Sequence, residues 1–293
     1  MPERLICALA LCLLGLLSSA AQAVSVLDDQ QQAITFTSPP QRIVSLLPSL
    51  TETVCALGQC HKLVGVDRYS NWPESVRGLP RMGGGIDPNI ESIVAQKPDL
   101  VLLAGSTRGV ERLQSLGVKL LRLEPRTHAD VQRVLRSVAD ALGLPAAEAE
   151  RVWRGIDAGV QAAVDSIGAQ ARSQRVYFEV SPTPYGASES SFIGETLQRM
   201  GVRNILPASL GPFPQVNPEF VVRAQPDVIM AGDSSRAGML QRPGWAQMRA
   251  VRDGRICAFP PEQADIVVRA GPRMAEGARL MAQCLNRTTG GAR

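Results

Sequence analysis

An internal repeat constrains the architecture of this chain more than any other feature of its sequence. Residues 89–102 read NIESIVAQKPDLVL, and residues 217–230 read NPEFVVRAQPDVIM. The asparagine, the glutamate and the Pro-Asp pair therefore recur at one constant spacing, with Glu91 matched by Glu219. Each copy predicts a helix capped by asparagine, a turn at Pro-Asp and a buried strand. We expect two similar lobes related by pseudo-symmetry.

Around this repeat, short β-branched runs alternate with amphipathic helical stretches, which is typical of α/β folds with parallel sheets. The predicted strands are 42–47, 63–66, 100–104, 118–123, 175–180, 227–231 and 256–259. The predicted helices are 49–58, 89–96, 109–116, 129–142, 191–200, 218–224 and 272–285. The first of them should begin at a capping box formed by Ser49 and Glu52. The chain has 293 residues, about two domains in length, and we expect two Rossmann-like lobes with parallel sheets.

The segment between the halves of the repeat, residues 145–172, has no strand signal. Its apolar residues follow helical spacing: Val152, Ile156, Val160, Val164 and Ile167. Pro145 suits the first turn of a helix. At a rise of about 1.5 Å per residue, one helix of roughly 35–40 Å would join the lobes rigidly. The predicted organisation is an N-terminal lobe at 24–144, an interdomain helix at 145–172 and a C-terminal lobe at 173–293.

The first 23 residues have the pattern of a secretory signal peptide. Arg4 precedes an apolar run over residues 5–17, and small residues lead to an Ala-x-Ala ending at Ala23. This pattern predicts export with cleavage after Ala23. An N-terminal membrane anchor is the alternative, but the apolar run is shorter than the roughly 20 residues that a span requires.

Four cysteines lie beyond the predicted leader: Cys55, Cys60, Cys257 and Cys284. An even number in an exported chain favours disulfides, for which three connectivities exist. Cys55 and Cys60 flank Gly58, where a helix should end and the backbone reverse, so these two sulfurs could meet. That would leave Cys257 on a strand and Cys284 on the last helix. Four buried free thiols are the alternative.

Composition and motifs argue against several classes of function. The 31 Lys and Arg against 27 Asp and Glu give a net charge of only +4, without a basic run, so no nucleic-acid partner is expected. Two histidines are too few for the histidine-rich zinc sites. The sequence has no GxxxxGK[ST], HExxH or GxSxG motif. We therefore predict no catalytic residues, no metal site and no catalytic cofactor, with an exported α/β enzyme as a remote alternative.

Three segments gather aromatic and charged residues where loops are expected: 67–72, 211–215 and 265–269. Each follows a strand or precedes a helix, where open α/β sheets bind ligands, although ordinary loop packing is the alternative. The glycine run 83–85 fits a close backbone approach better than a phosphate loop. Glu91 and Glu219 either complement the dipoles of their helices or form a matched pair of docking carboxylates.

Four motifs together carry a resemblance to a known family: RIVSLLPSLTE at 42–52, VGVDRY at 64–69, PFPQV at 212–216 and RAGPR at 269–273. They resemble the cobalamin-binding members of the family of periplasmic receptors for iron siderophores, haem and cobalamin. The likeness extends from about residue 42 to residue 285. It implies a class III periplasmic binding protein, in which a ligand is held between two α/β lobes and delivered to a two-fold ABC permease in the inner membrane. Cobalamin is the expected transported ligand, a ferric siderophore or haem is the alternative, and we expect a monomer when the protein is free.

The resemblance also implies which residues form the sites. The candidate ligand-binding residues are Pro48, Tyr69, Trp72, Gly84, Phe213, Asp265, Ile266, Val267, Val268 and Arg269. Tyr69 matches a corrin-contacting tyrosine, and Phe213 stands where related receptors have a tryptophan. The glycines at 83–85 replace another cleft tryptophan. Glu91 and Glu219 match the carboxylates offered to arginines of the permease. The family's cysteine partner near residue 200 is missing, which makes Cys257 the candidate partner of Cys284.

Overall fold

The computed structural model describes residues 23–290, which form two separate mainly parallel sheets and one small hairpin. The elements of the first half are β1 (Val24–Leu27), β2 (Ala33–Phe36), β3 (Ile43–Ser45), α1 (Pro48–Ala56), β4 (Leu63–Val66), α2 (Ile90–Ala95), β5 (Leu100–Leu103), α3 (Val110–Ser115), β6 (Leu120–Arg122) and α4 (His128–Ala141). A helix, α5 (Ala146–Asp165), follows. The second half contains β7 (Arg175–Ser181), β8 (Tyr185–Gly186), α6 (Phe192–Arg199), β9 (Arg203–Asn204), α7 (Pro218–Ala224), β10 (Val228–Gly232), α8 (Asp233–Leu240), α9 (Arg249–Arg252), β11 (Ile256–Phe259), α10 (Pro261–Val268) and α11 (Met274–Gly290).

The predicted α/β class with parallel sheets is confirmed. The first sheet has the order β4-β3-β5-β6 with every pair parallel. The second has the order β11-β10-β7-β8, in which only β8 is antiparallel, and β9 also pairs with β7. Strands such as Leu100–Leu103 are buried on both faces by helices, which is why they read as unbroken apolar runs in the sequence.

Both copies of the internal repeat make the same hydrogen bonds at the start of a core strand, and these bonds form a brace in each sheet. The Asp99 N–H donates to the Arg42 carbonyl at 2.8 Å, and the Asp227 N–H donates to the Arg175 carbonyl at 2.8 Å. The carboxylate of each aspartate also accepts a backbone N–H from the arginine, at 2.9 Å in both copies. Each Pro-Asp turn therefore fixes the start of the first core strand of its own sheet.

Helix α5 links the halves, although it is shorter than the sequence predicts. It ends at Asp165, followed by a short 3-10 turn over Ala169–Ala171, so its length is about 30 Å. The side chain of Asn286 on α11 explains this end, because it donates to the Ser166 carbonyl at 2.9 Å and accepts from the Gly168 N–H at 2.9 Å. These bonds satisfy backbone groups that a longer helix would have paired internally.

Helix α5 packs against α4 from the first half and α11 from the second. A Cβ at Gly159 would lie 2.6 Å from the Cβ of Ala275, so the missing side chain lets α5 and α11 approach closely. A second contact between the halves lies at the start of α4. There His128 Nε2 is 2.8 Å from Thr196 Oγ1, and the Phe192 N–H donates to the Arg126 carbonyl at 2.7 Å.

The capping box expected at Ser49 and Glu52 is wrong. Pro48 occupies the first turn of α1, the helix begins after Leu47, and no side chain caps it. Glu52 is instead buried and forms an ion pair with Arg269 at 2.9 Å. The local motif was overridden by a partner that lies 217 positions along the chain.

Both expected disulfides are present. Cys55 is bonded to Cys60 with a Cα–Cα separation of 4.1 Å, and Cys257 to Cys284 with a separation of 5.9 Å. Both separations lie below the limit of about 7 Å for a disulfide. The predicted signal peptide lies outside the described residues except for Ala23. Between residues 23 and 290 no helix is both long and apolar enough to cross a membrane.

Candidate functional site

The loop after β4 presents two aromatic side chains on a tightly braced backbone. Asp67, at its start, accepts the Tyr69 N–H at 2.7 Å and the Ser70 hydroxyl. Arg81 holds the other side by donating to the Ser70 carbonyl at 2.6 Å. Burial raises the pKa of Asp67. These bonds fix the main chain while the Tyr69 side chain stays 62% exposed and Trp72 stays 44% exposed.

Opposite this loop lies the end of α10, where the sequence predicts a loop. Residues Asp265 to Val268 instead form the last turn of a helix that begins at Pro261. Val267, only 1% exposed, packs in the core, and Ile266 is also buried. Val268 is exposed. The missed helix has a local signal, because proline favours the first helical turn.

Arg269, directly after α10, crosses to the first half of the chain. Its Nη1 donates to Glu52 Oε1 at 2.9 Å and to Asn71 Oδ1 at 2.8 Å. Its Nη2 donates to the Tyr69 carbonyl at 3.0 Å and forms an ion pair with Asp265 Oδ2 at 2.9 Å. The site therefore contains an arginine whose terminal nitrogens bind protein groups from both halves.

A second arginine and a tryptophan extend this contact. The guanidinium of Arg273 lies 4.4 Å from the ring centroid of Trp72, within the range of a cation–π interaction. A cavity of about 180 Å³ lies beside them, and it is lined by Asn71, Trp72, Arg77, Glu262, Asp265 and Ile266, among others. Since strand β4 leads into one wall and strand β11 into the other, the carboxyl ends of both sheets contribute to one site, as expected for open α/β folds.

The glycine run packs beneath the aromatic loop. A Cβ at Gly84 would lie 2.8 Å from Asp87 Oδ1 and 3.6 Å from the Tyr69 ring, and Arg68 forms an ion pair with Asp87 over the same turn. The run is thus a close approach, as its sequence predicted. Pro48 is half-buried at the start of α1. The next residue, Ser49, packs closely on Gly271, where an added Cβ would lie 3.2 Å from the Cβ of Ser49.

Phe213 lies in a segment of the second half that is hydrogen-bonded to strand β8. The Gly186 N–H donates to the Pro214 carbonyl at 3.0 Å, which joins the segment around Phe213 to β8. Phe213 is half-buried, with its ring edge-to-face on Phe192 at a centroid distance of 6.2 Å. The same segment exposes Tyr185, which is not among the predicted ligand-binding residues. The available signal was its position shortly after the core strand β7.

The two repeated glutamates occupy equivalent exposed positions. Glu91 and Glu219 lie in the first turns of α2 and α7, and both are exposed. The predicted asparagine caps are confirmed, because Asn89 accepts the Ser92 N–H and Asn217 accepts the Glu219 N–H, each at 2.9 Å.

Comparison with known proteins agrees with this architecture. The relative named vitamin B12-binding protein of Pectobacterium carotovorum is 28% identical over 258 residues, which cover 86% of this chain and 91% of the relative. Two solved structures each superpose with a TM-score of 0.71. The periplasmic vitamin B12-binding protein BtuF of Vibrio cholerae is 25% identical and is matched over 86% of this chain and 98% of its own. The periplasmic haem-binding protein RhuT of Roseiflexus sp. RS-1 is 28% identical, with coverages of 86% and 99%.

A family model described as periplasmic binding protein matches residues 43–263. This range begins at the first core strand, β3, and ends inside α10, so it includes both sheets, the linking helix and the loop that carries Tyr69 and Trp72. The match covers most of the chain, and the chain belongs to the periplasmic binding protein family.

Proposed function

We propose that this protein is the substrate-binding component of an ABC importer and that it captures a cobalamin-like corrinoid between its two lobes, without catalysis. The relatives named as vitamin B12-binding proteins support this ligand class. The exposed rings of Tyr69 and Trp72, at the carboxyl end of β4, offer flat apolar surfaces to a rigid macrocycle.

The observation that carries the proposal is the pairing of the charged groups at the site. Three arginines each have a carboxylate partner: Arg68 with Asp87, Arg269 with Glu52, and Arg273 with Glu276. An anionic ferric siderophore favours converging cations that are free to bind it. A corrinoid has neutral amides around its rim, which hydrogen-bond without a net countercharge. Aromatic walls with internally compensated arginines therefore favour the corrinoid.

Haem is the second candidate, and one observation favours it. Tyr69 is exposed, and a tyrosine phenolate is one of the side chains that ligate haem iron. The superposition on a haem-binding protein is consistent with this alternative. The two candidates differ in what they require of Tyr69, since haem ligation needs the hydroxyl and corrin packing needs only the ring.

The proposal includes the location and the partner. The lobes are assigned to residues 24–144 and 173–293, with the segment 145–172 between them, and the leader is removed after Ala23 to give a periplasmic monomer. Glu91 and Glu219, one on each lobe, would dock on a two-fold permease through its arginines. Their equivalent exposed positions at helix starts support this role.

Ligand retention tests the proposal directly. Protein beginning at residue 24 is mixed in turn with cyanocobalamin, haem and a ferric siderophore, and it is desalted before its absorbance spectrum is recorded. Retention of cyanocobalamin at about one equivalent is expected. Retention of haem alone would replace the first candidate with the second, and retention of none would contradict both.

A further inference from the structure

We propose that Arg269 is a positioning residue, which fixes the loop that carries Tyr69 and ties the two halves together at the ligand site without touching the ligand itself. This inference rests on the proposed function, because it concerns how the site for that ligand is held. It differs from the expectation drawn from family resemblance, in which Arg269 lines the cleft as a ligand contact.

The guanidinium group of Arg269 is held by several protein groups. Arginine has five N–H donors and no acceptor. Arg269 donates three hydrogen bonds from its two terminal nitrogens and forms an ion pair with Asp265, and the residue is only 8% exposed. These partners belong to three separate elements, namely α1, the loop after β4 and α10. Because the guanidinium group is held on both terminal nitrogens and is buried, it offers little accessible surface to a ligand.

The backbone of Tyr69 is held on both sides of the residue. Its backbone N–H is held by Asp67 at 2.7 Å, and its backbone carbonyl by Arg269 at 3.0 Å. The peptide groups on both sides of the residue are therefore fixed, while the ring stays exposed. Asn71 is held as well, because its Oδ1 accepts from Arg269 at 2.8 Å and its Nδ2 donates to Asp265 at 2.7 Å. Fixing this backbone before binding lowers the ordering cost that a ligand must overcome.

Glu52, the ion-pair partner of Arg269, is a buried carboxylate. Glu52 is 3% exposed, and no protein group in residues 23–290 hydrogen-bonds its Oε2. Burial raises the pKa of this carboxyl, whereas Arg269 and Arg273 favour its charged form and Glu276 opposes it. A buried carboxylate that loses its partner is strongly destabilised. The ion pair with Glu52 therefore fixes Arg269 beside the loop that carries Tyr69. Lysine cannot reproduce the planar set of donors of an arginine.

The chain offers a matched control for simple loss of a buried ion pair. Arg122, in β6, is buried with Asp28 and bonded to it at 3.0 Å, with a further bond to Gln32 at 3.2 Å. This pair connects β6 to the turn after β1, within the first half. Arg122→Lys should lower stability without changing the loop that carries Tyr69.

The experiment compares Arg269→Lys, the double variant Glu52→Gln/Arg269→Gln and Arg122→Lys with the parent. The double variant removes both charges and serves where the lysine variant folds poorly. Amide hydrogen exchange over residues 67–72 is measured without ligand, and affinity is measured by calorimetry with cyanocobalamin, or with haem where desalting retains haem instead. We expect faster exchange in this loop and affinity at least ten-fold weaker in both Arg269 variants, and neither change in Arg122→Lys.

The outcomes separate the possible roles. Weaker binding with unchanged loop exchange would make Arg269 a direct ligand contact and overturn the proposal. Equal losses of affinity in Arg122→Lys would reduce the effect to general stability and also overturn it, as would unchanged exchange and affinity in the Arg269 variants. If the parent retains no tested ligand, the proposed function fails, and the exchange measurement alone still confirms or refutes the positioning of the loop.

Discussion

Truncation of Tyr69 is the sharpest test of the candidate ligand wall. The side chain is 62% exposed in the free protein, so a ligand can cover roughly 125 Å² of a tyrosine surface of about 200 Å². At about 25 cal/mol per Å², full coverage would contribute about 3 kcal/mol. A planar macrocycle covers one face of the ring, so about half of that is the lower expectation. Tyr69→Ala should therefore weaken affinity by about 1.5–3 kcal/mol, or roughly 10- to 150-fold.

The same variant should hardly change folding stability. An exposed ring contributes little to the core, so we expect the free energy of unfolding to change by less than about 0.5 kcal/mol in urea titrations. Calorimetry with the retained ligand gives the affinity. Leu116→Ala is the control, because Leu116 is also an exposed apolar residue but lies at the far end of α3, away from the aromatic loop. Unchanged affinity in Tyr69→Ala would refute the assignment of this ring as a ligand contact.

Tyr69→Phe then distinguishes the two ligand candidates. The variant keeps the ring and removes only the hydroxyl. Corrin packing should survive with affinity within a few-fold of the parent. Iron ligation through the phenolate should be lost, with the corresponding change in the haem absorbance spectrum.

Three further predictions follow from other parts of the molecule. Burial lowers the pKa of His128. The stability that its neutral ring supports is therefore complete above an unfolded pKa of about 6.5 and is lost as the pH falls below that value. His128→Gln should reduce the change of the urea midpoint between pH 7 and 5, and His61→Gln, at an exposed position, should not. Cys284→Ala opens a disulfide with a sequence separation of 27 and should lower the free energy of unfolding by about 3.5 kcal/mol, and a loss below about 1 kcal/mol would contradict the loop-entropy argument. Replacing Glu91 and Glu219 together by glutamine should impair uptake by a reconstituted transporter, more at low than at moderate salt, while ligand affinity is unchanged; normal uptake would leave both residues as helix-start charges.

The sequence predicts the framework of this fold well because its core strands are buried on both faces. Such strands read as short apolar runs, and the repeat at Asp99 and Asp227 identifies the same brace in each sheet. The small strands were missed because they carry little pattern. The hairpin of β1 and β2 and the two-residue strands β8 and β9 contain too few residues for periodicity to emerge.

The errors at Glu52 and at the end of α5 share a physical cause, namely side chains whose partners are distant in sequence. Glu52 matches a capping box locally, yet its carboxylate pairs with Arg269. The linking helix carries helical spacing beyond Asp165, yet Asn286 ends it by bonding the backbone groups that follow. Local pattern shows neither contact, because each depends on how the second half is placed against the first.

These distant partners also explain why the candidate site can exist before a ligand arrives. Within residues 23–290 the contacts between the halves include the packing of α5 on α4 and α11, the hydrogen bonds around His128 and the three hydrogen bonds that Arg269 donates to the first half. Opening the site by separating the halves would break buried polar contacts, each of which is costly to leave unsatisfied. A ligand at the proposed site would therefore not have to assemble the walls that receive it. More of its contact energy then appears as affinity, because less is needed to order the protein.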